Sequence, residues 1–285
     1  MDSKQGPTLR AQWLGQQLRE LRESTGHTLL EAAKYLERGQ STMSRFETAE
    51  YPIRRADVVA LLDFYNVSDR QRRDEILTLR DEVWQKHWWD GYAEAVDSQF
   101  VDYPWLESRA SKIRSYDPMV VTGLLQTRAY ATALIENING TRASAEQIKQ
   151  WIDFRMARQE ALDRDDPLRV EAILDESVLR RVVGGSHTMR EQLTHLGELA
   201  QRPNIEVRAL PLRATHDAGV DGTFKLFEMP EPYPEVAYMD TPGGAIYVEA
   251  PKVERFVHEY DRLWEVVLGR DESAALIAAA MKELE

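Results

Sequence analysis

Apolar positions in the first part of the chain recur with helical spacing. Leu14, Leu18 and Leu21 stand at i, i+4 and i+7 and predict an amphipathic helix that stops at Ser24, Thr25 and Gly26, where glycine suits a left-handed cap. Thr28, with Glu31 three positions on, is a capping-box signature and opens a second short helix over 29–36. A break at Glu37, Arg38 and Gly39 leads into a third helix over 40–50, so two short helices meet across a tight turn, the helix-turn-helix pattern. Tyr51, Pro52 and Ile53 stop the third helix. Val58, Leu61, Leu62 and Tyr65 share one side of a fourth helix, 55–65, and Ile76, Leu77 and Val83 mark a fifth.

Beyond Glu107 the period changes. Helices are expected at 126–135, 145–163, 188–201, 252–268 and 272–284, and strands at 169–174, 205–210, 223–228, 235–239 and 245–248. The late strands are separated by Gly and Pro turns. Neighbouring strands followed by two helices point to an α+β domain with a mixed or partly antiparallel sheet. The expected organisation is multidomain: an all-α five-helix domain over 1–80, an aromatic-rich connecting helix or linker over 81–106, and a larger α+β domain over 107–285. The 285 residues suffice for two domains.

Composition narrows the chemistry. The chain has no cysteine, which excludes disulfides, thiolate nucleophiles and cysteine-ligated zinc and suits a reducing cytoplasm. No apolar run approaches a membrane span, so no membrane partner is expected. The net charge of -12 argues at first against a nucleic-acid partner, since phosphate contacts need Lys and Arg. Its distribution changes that. Residues 1–80 hold 13 of the 36 basic and 12 of the 48 acidic residues, so the acidity lies in the second part of the chain. A near-neutral reader on an acidic body would approach a duplex by one end. The plainer reading, that many soluble domains are acidic, carries equal weight.

Spacing gives the third helix its chemistry. From Gln40, the residues Gln40, Ser44, Thr48, Ser41 and Arg45 fall at about 0, 40, 80, 100 and 140°, whereas Met43, Phe46 and Glu50 fall at about 300, 240 and 280°. One face is apolar and can pack inward. The other presents an amide, hydroxyls and a guanidinium. Gln can pair with adenine N6 and N7, Arg with guanine O6 and N7, and Ser with a base edge or a phosphate. A polar outer face that is merely solvated is the competing reading.

Residues 14–66 resemble the Xre or lambda-repressor-like family, and Gln40-Ser41-Thr42-Met43-Ser44-Arg45-Phe46-Glu47 is similar to its recognition-helix motif. The resemblance implies a DNA-binding transcription regulator. Gln40 and Ser41 would then read bases, Arg45 would read a base or hold a phosphate, and Ser44 and Thr28 would contact phosphates. Arg38 in the turn and Arg54 and Arg55 before the fourth helix suit backbone clamps, which position without specifying sequence. Glu47 is expected to be structural, paired with Arg19 or Arg22. Leu29 stands where the family often has Gln, and Gly39 where it favours a Ser cap, so Leu29 is not assigned to DNA.

A second resemblance rests on Tyr116-Asp117-Pro118-Met119-Val120-Val121-Thr122-Gly123-Leu124-Leu125-Gln126-Thr127-Arg128-Ala129-Tyr130-Ala131, on Arg155 with Arg158-Gln159, on Asp175-Glu176 and on Leu179-Arg180-Arg181. These are similar to the C-terminal domain of actinobacterial antitoxin-like Scr-family transcriptional regulators. The resemblance implies regulation rather than a reaction, with a small partner protein encoded nearby. Gly123 is expected in a tight turn and 126–131 at a helix start. Arg155 and Arg158 form either a solvated face or an anion site.

Trp84, Trp88, Trp89 and Trp105, four of the seven tryptophans, crowd together with Tyr92, Phe100 and Tyr103. A helical continuation would put Trp84 and Trp88 on one face. Such density suits a domain junction, which is favoured, a dimer contact or the rim of a ligand pocket at Trp88, Trp89 and Trp105. Acidic neighbours (Asp90, Glu94, Asp97, Asp102) argue against stacking of unpaired bases.

An enzyme is not expected. His27, His87, His187, His195, His216 and His258 include no i, i+4 metal pair, and no phosphate-cradling glycine loop occurs. Asp175 and Glu176 are adjacent and diverge, and His216-Asp217 near Gly219 and Gly222 reads as a loop. No metal or cofactor is expected. The expected protein is a cytoplasmic homodimer on a pseudo-palindromic double-stranded operator, its second domain receiving a protein or small-molecule signal. The alternative is an antitoxin-like partner that sequesters a small protein and regulates its own operon.

Overall fold

A computed structural model describes residues 7–85, 87–92, 102–214, 222–241 and 243–284. The chain divides into two compact units, Met1–Asp90 and Gly91–Glu285. Phe100, Glu94 and Asp97 of the aromatic stretch, and the His216-Asp217 dipeptide with Gly219, lie outside the described residues.

The first unit is built of five helices among the described residues. α1 (Leu9–Ser24) opens where the Thr8 hydroxyl accepts the Ala11 N–H, and it buries Trp13, Leu14 and Leu18. α2 (Leu29–Tyr35) begins with the reciprocal cap expected of its sequence: the Thr28 hydroxyl accepts the Glu31 N–H and the Glu31 carboxylate accepts the Thr28 N–H. α3 (Gln40–Glu47) starts at Gly39 with no side-chain cap. It ends three residues earlier than its apolar spacing suggests, because Ala49 turns to a positive φ of 59°. α4 (Arg55–Phe64) and α5 (Arg70–Trp84) complete the unit, α5 capped by Asp69. Leu18, Met43, Leu61, Leu62, Ile76 and Leu79 form a fully buried core. Each such side chain contributes about 1.5–3 kcal/mol of burial. α1 crosses the end of α3 at Gly15, where an added Cβ would stand 2.5 Å from the Glu47 carbonyl oxygen. Only glycine allows that approach.

The second unit is α+β. After α6 (Tyr103–Arg109) come β1 (Lys112–Asp117), α7 (Arg128–Asn139), α8 (Ala145–Arg158), β2 (Arg169–Asp175), α9 (Glu176–Arg180), α10 (Gly185–Leu199) and β3 (Ile205–Leu210). Then follow β4 (Phe224–Glu228), β5 (Val236–Thr241), β6 (Gly244–Val248), α11 (Val253–Val266) and α12 (Arg270–Lys282). The strands form one mixed sheet ordered β3-β2-β1-β4-β5-β6. β1, β2 and β3 run parallel through helical crossovers, whereas β4, β5 and β6 form an antiparallel meander joined to β1. β2 buries Val170, Ala172, Ile173 and Leu174 in near succession, as a parallel strand covered on both faces does.

The pleat sorts the remaining side chains. Tyr116, Ile173, Phe224, Leu226 and Ala237 share one face, where they pack with Val253, Tyr260 and Leu263 of α11. Ile113, Ser115 and Asp117 of β1, with Lys225 and Phe227 of β4, point to the other face, toward Tyr103 of α6. The outer edge of β3 is covered by the C-terminal helices: the Ala209 N–H donates to the Ser273 hydroxyl, and the Leu268 N–H to the Ala209 carbonyl. That satisfies backbone groups that an open edge strand would expose.

Four expectations need correction. β1, the strand at the centre of the sheet, and α6 were not anticipated. The helix start lies at Arg128 under a Thr127 cap, since Gln126 is extended and turns its amide inward to the Val121 carbonyl. α5 does not continue through the tryptophans: Gln85 is extended and Trp88–Tyr92 form a separate 3-10 turn. The connecting segment drawn over 81–106 is also too wide, as 81–84 finish α5 and 103–106 begin the buried α6.

Candidate nucleic-acid interface and a polar cleft

Met43 and Phe46 turn α3 inward, and its opposite side is open. Gln40, Ser41 and Arg45 are exposed and Ser44 is half-buried. Among the described residues the Arg45 and Arg54 side chains make no hydrogen bond or ion pair, and both are exposed. Arg38 and Arg55 are exposed too, but each faces a carboxylate: Arg38 lies 3.7 Å from Asp57 and Arg55 3.3 Å from Asp81. Pairs of this kind contribute little and yield readily to a stronger anion. Thr28 is more committed. Its hydroxyl and N–H both bond Glu31, so a phosphate contact there would have to displace a capping carboxylate.

Glu47 holds this face in position. Its carboxylate accepts two hydrogen bonds from Arg22 of α1, at 2.7 Å from Nε and 3.0 Å from NH2. Arg22 also donates to the His27 carbonyl at the end of its own helix. Of the two arginines that the sequence offered, Arg19 pairs instead with Glu23. Burial works against the Arg22 charge, yet the hydrogen bond to Glu47 outweighs it and raises the guanidinium pKa above its ordinary value.

The tryptophans part company. Trp84 is exposed at the end of α5 with the Arg80 guanidinium 5.1 Å from its ring centre, and Trp89 is buried and stacked on His87 at 4.2 Å. Trp88 is half exposed, edge-on to Trp89. Trp105 is fully buried in α6 of the second unit, edge-on to Tyr233. It is a core side chain and not part of a pocket rim.

Arg155 and Arg158 are not a solvated face, which corrects one of the two readings. Arg158 is buried and its guanidinium grips the Glu107 carboxylate through two 2.6 Å hydrogen bonds, with the Tyr103 ring 4.7 Å away. Burial disfavours this charge, but Glu107 more than compensates and keeps the pKa above the usual arginine range. Arg155, one turn earlier, makes no ion pair with a carboxylate among the described residues. It donates to the Gln126 amide oxygen at 2.7 Å, and burial, reinforced by the nearby Arg158 charge, pushes its pKa down to about 10.

These two arginines border a cleft of about 280 Å³ at the carboxyl end of β1, lined also by Asp117, Thr122, Lys225 and Asp240. Lys225 donates to the Thr122 hydroxyl at 3.1 Å and the Tyr103 hydroxyl at 3.3 Å, with Asp117 4.0 Å away. Burial raises the Asp117 pKa, and Lys225 opposes the shift. The segment between β1 and α7 is pinned from three sides by the amides of Gln126, Gln159 and Gln192. Asp175 and Glu176, by contrast, are structural: Asp175 caps α9 and Glu176 pairs with Arg180. No motif in the sequence gives Asp117 or Thr122 a role, and the one sequence signal for Lys225 is its place as a lone cation within Phe224-Lys225-Leu226-Phe227.

Two short helices joined by a tight turn, with a polar face on the second, define a helix-turn-helix domain, the architecture of DNA-binding regulators. Residues 13–76 match the model of the family described as helix-turn-helix domain. The chain belongs to the family described as domain of unknown function (DUF5753), whose model matches residues 100–279. Comparison with curated proteins and with solved structures gives no match. Among the described residues no helix is long and apolar enough to cross a membrane, and no group of three or more His, Asp or Glu is placed to hold a metal.

Proposed function

We propose that the protein is a sequence-specific transcription regulator of the cytoplasm that binds double-stranded DNA as a homodimer, each α3 entering a major groove, and that its second unit receives a signal. The observation that carries this reading is the unpaired Gln40, Ser41 and Arg45 face on a helix whose other side is fixed by Met43, Phe46 and Glu47. An exposed guanidinium with no internal partner is free to bind a guanine edge in bidentate fashion. Arg54, also unpaired, is suited to a phosphate, with Arg38, Arg55, Ser44 and Thr28 as further backbone contacts. The dimer follows from the usual arrangement of such helices on two half-sites.

Fluorescence anisotropy of the full chain on a selected duplex and on a scrambled one tests the assignment. Arg45→Ala should cost about 1–3 kcal/mol on the selected duplex and leave the scrambled one nearly unaffected. Arg54→Ala should weaken both alike and reduce the slope of affinity against salt. Equal losses on both duplexes for both variants would remove the base-reading role of Arg45.

A further inference from the structure

The polar cleft of the second unit has an unusual internal balance. Arg158 is neutralised by Glu107, but Arg155 lies within the same wall with only the neutral Gln126 amide as a partner. A largely desolvated cation without a directly bonded carboxylate is costly: burial, reinforced by the Arg158 charge, lowers its pKa against the weaker pull of Glu107 and Asp240. Across the cleft the Asp117 side chain is only 5% exposed, and its Oδ2 has no hydrogen-bond partner. Lys225 and the Ser115 and Thr122 hydroxyls favour the charged form of this carboxylate, and its Oδ2 keeps room to accept from a further donor. Lys225, held by Thr122 and Tyr103, lies 4.0 Å from Asp117. The cleft thus lines one space with the cations Arg155 and Lys225 and the carboxylates Asp117 and Asp240.

The end of β1, the start of β4 and the end of β5 meet here, where the parallel half of the sheet joins the antiparallel half. In open parallel α/β sheets ligands settle beyond the carboxyl ends of strands where the strand order reverses, and β1 of the parallel half ends at such a reversal here. The segment after β1 is short of regular structure yet fixed by three glutamine amides, those of Gln126 and Gln192 buried and that of Gln159 partly so, a rigid wall of the type that pre-forms a binding site. At 280 Å³ the cleft is at the small end for ligand sites and holds a molecule of roughly ten non-hydrogen atoms.

We propose that this cleft binds a small amino or hydroxy acid, its carboxylate on Arg155 and Lys225 and its ammonium or hydroxyl donating to Asp117. A purely anionic ligand would satisfy Arg155 but face the Asp117 carboxylate. An uncharged one would leave Arg155 unmatched. Only a compact molecule with both functions answers both sides. The inference rests on the second unit being the receiver of a signal, and its test uses no DNA, so its failure and a failure of DNA binding are separately visible.

Isothermal titration and thermal unfolding of the full chain are carried out against the twenty L-amino acids, L-lactate and L-malate. The primary amides of each acid and inorganic phosphate serve as probes lacking one of the two functions. At least one acid is expected to bind and raise the unfolding temperature, with its amide weaker by about tenfold or more, the loss of one charge-assisted hydrogen-bonded pair. Asp117→Asn, close in shape, should weaken the acid about tenfold while far-UV dichroism stays unchanged. Arg155→Lys, which keeps the charge without the fork, should weaken it less than Arg155→Gln. The proposal is overturned if no acid binds at millimolar concentration, if acid and amide bind equally, if phosphate binds as well as the best acid, or if folded Asp117→Asn binds as wild type does.

Discussion

Arg158→Ala should destabilise the second unit by about 3–5 kcal/mol, the largest effect expected of any single polar substitution in the chain. The substitution leaves Glu107, 2% exposed, as a bare carboxylate beneath Tyr103 and the sheet. Its two hydrogen bonds from Arg158 are both 2.6 Å and both buried, so water cannot replace them without opening the fold. The penalty is that of an uncompensated buried charge, not the net worth of the pair. Replacing both partners by apolar groups, Glu107→Leu with Arg158→Met, should therefore recover most of the loss. Urea unfolding followed in the near-ultraviolet, with a double-mutant cycle on the pair, measures this. A single-variant cost below about 1 kcal/mol, or a double variant worse than both singles, would show that the pair is not the anchor between α6 and α8.

Glu47→Ala comes second, at about 3 kcal/mol on the first unit. The pair joins α1 to the end of α3 with side chains 9% and 5% exposed. The cost is at the low end because Arg22 keeps Glu23 and the His27 carbonyl as partners. Gly15 lets the two helices approach at this point, so cavity and charge effects fall on one contact. Thermal unfolding should show the loss without DNA present. Below the transition, where the unit stays folded, affinity for a selected duplex should fall only modestly. Wild-type stability with abolished DNA binding would instead make Glu47 a contact to the duplex.

The first unit was almost fully legible because its determinants are local. A Thr-Glu cap, a Gly-terminated helix and an apolar stripe lie within a few residues of what they specify, and α2 begins where the cap says it should. The exception, the early end of α3, is set by Ala49 in a left-handed conformation that composition does not announce. In the second unit β2, β3 and the late strands were legible as apolar runs. β1 was not, since two of its inward positions are Ser115 and Asp117, polar residues that read as surface. Those positions are polar because the strand ends at the cleft. What hides the strand is thus what makes its end chemically interesting. Arg158 and Glu107 lie 51 residues apart in sequence, and no spacing rule links them. The tryptophan cluster shows the opposite failure: residues close in sequence are separated by the boundary between two compact units, and Trp105 belongs to a core.

On the proposed function, the near-neutral helical unit reads DNA through the α3 face, and the acidic α+β unit carries the polar cleft. Selection of duplexes from a random-sequence pool by the full chain, followed by sequencing, tests this most directly. The expected result is an enriched motif with two-fold symmetry, its half-site centres about 10 base pairs apart, whose base preferences relax when Arg45→Ala replaces the wild type. No enriched motif, or the same motif selected with undiminished preference by Arg45→Ala, would contradict it.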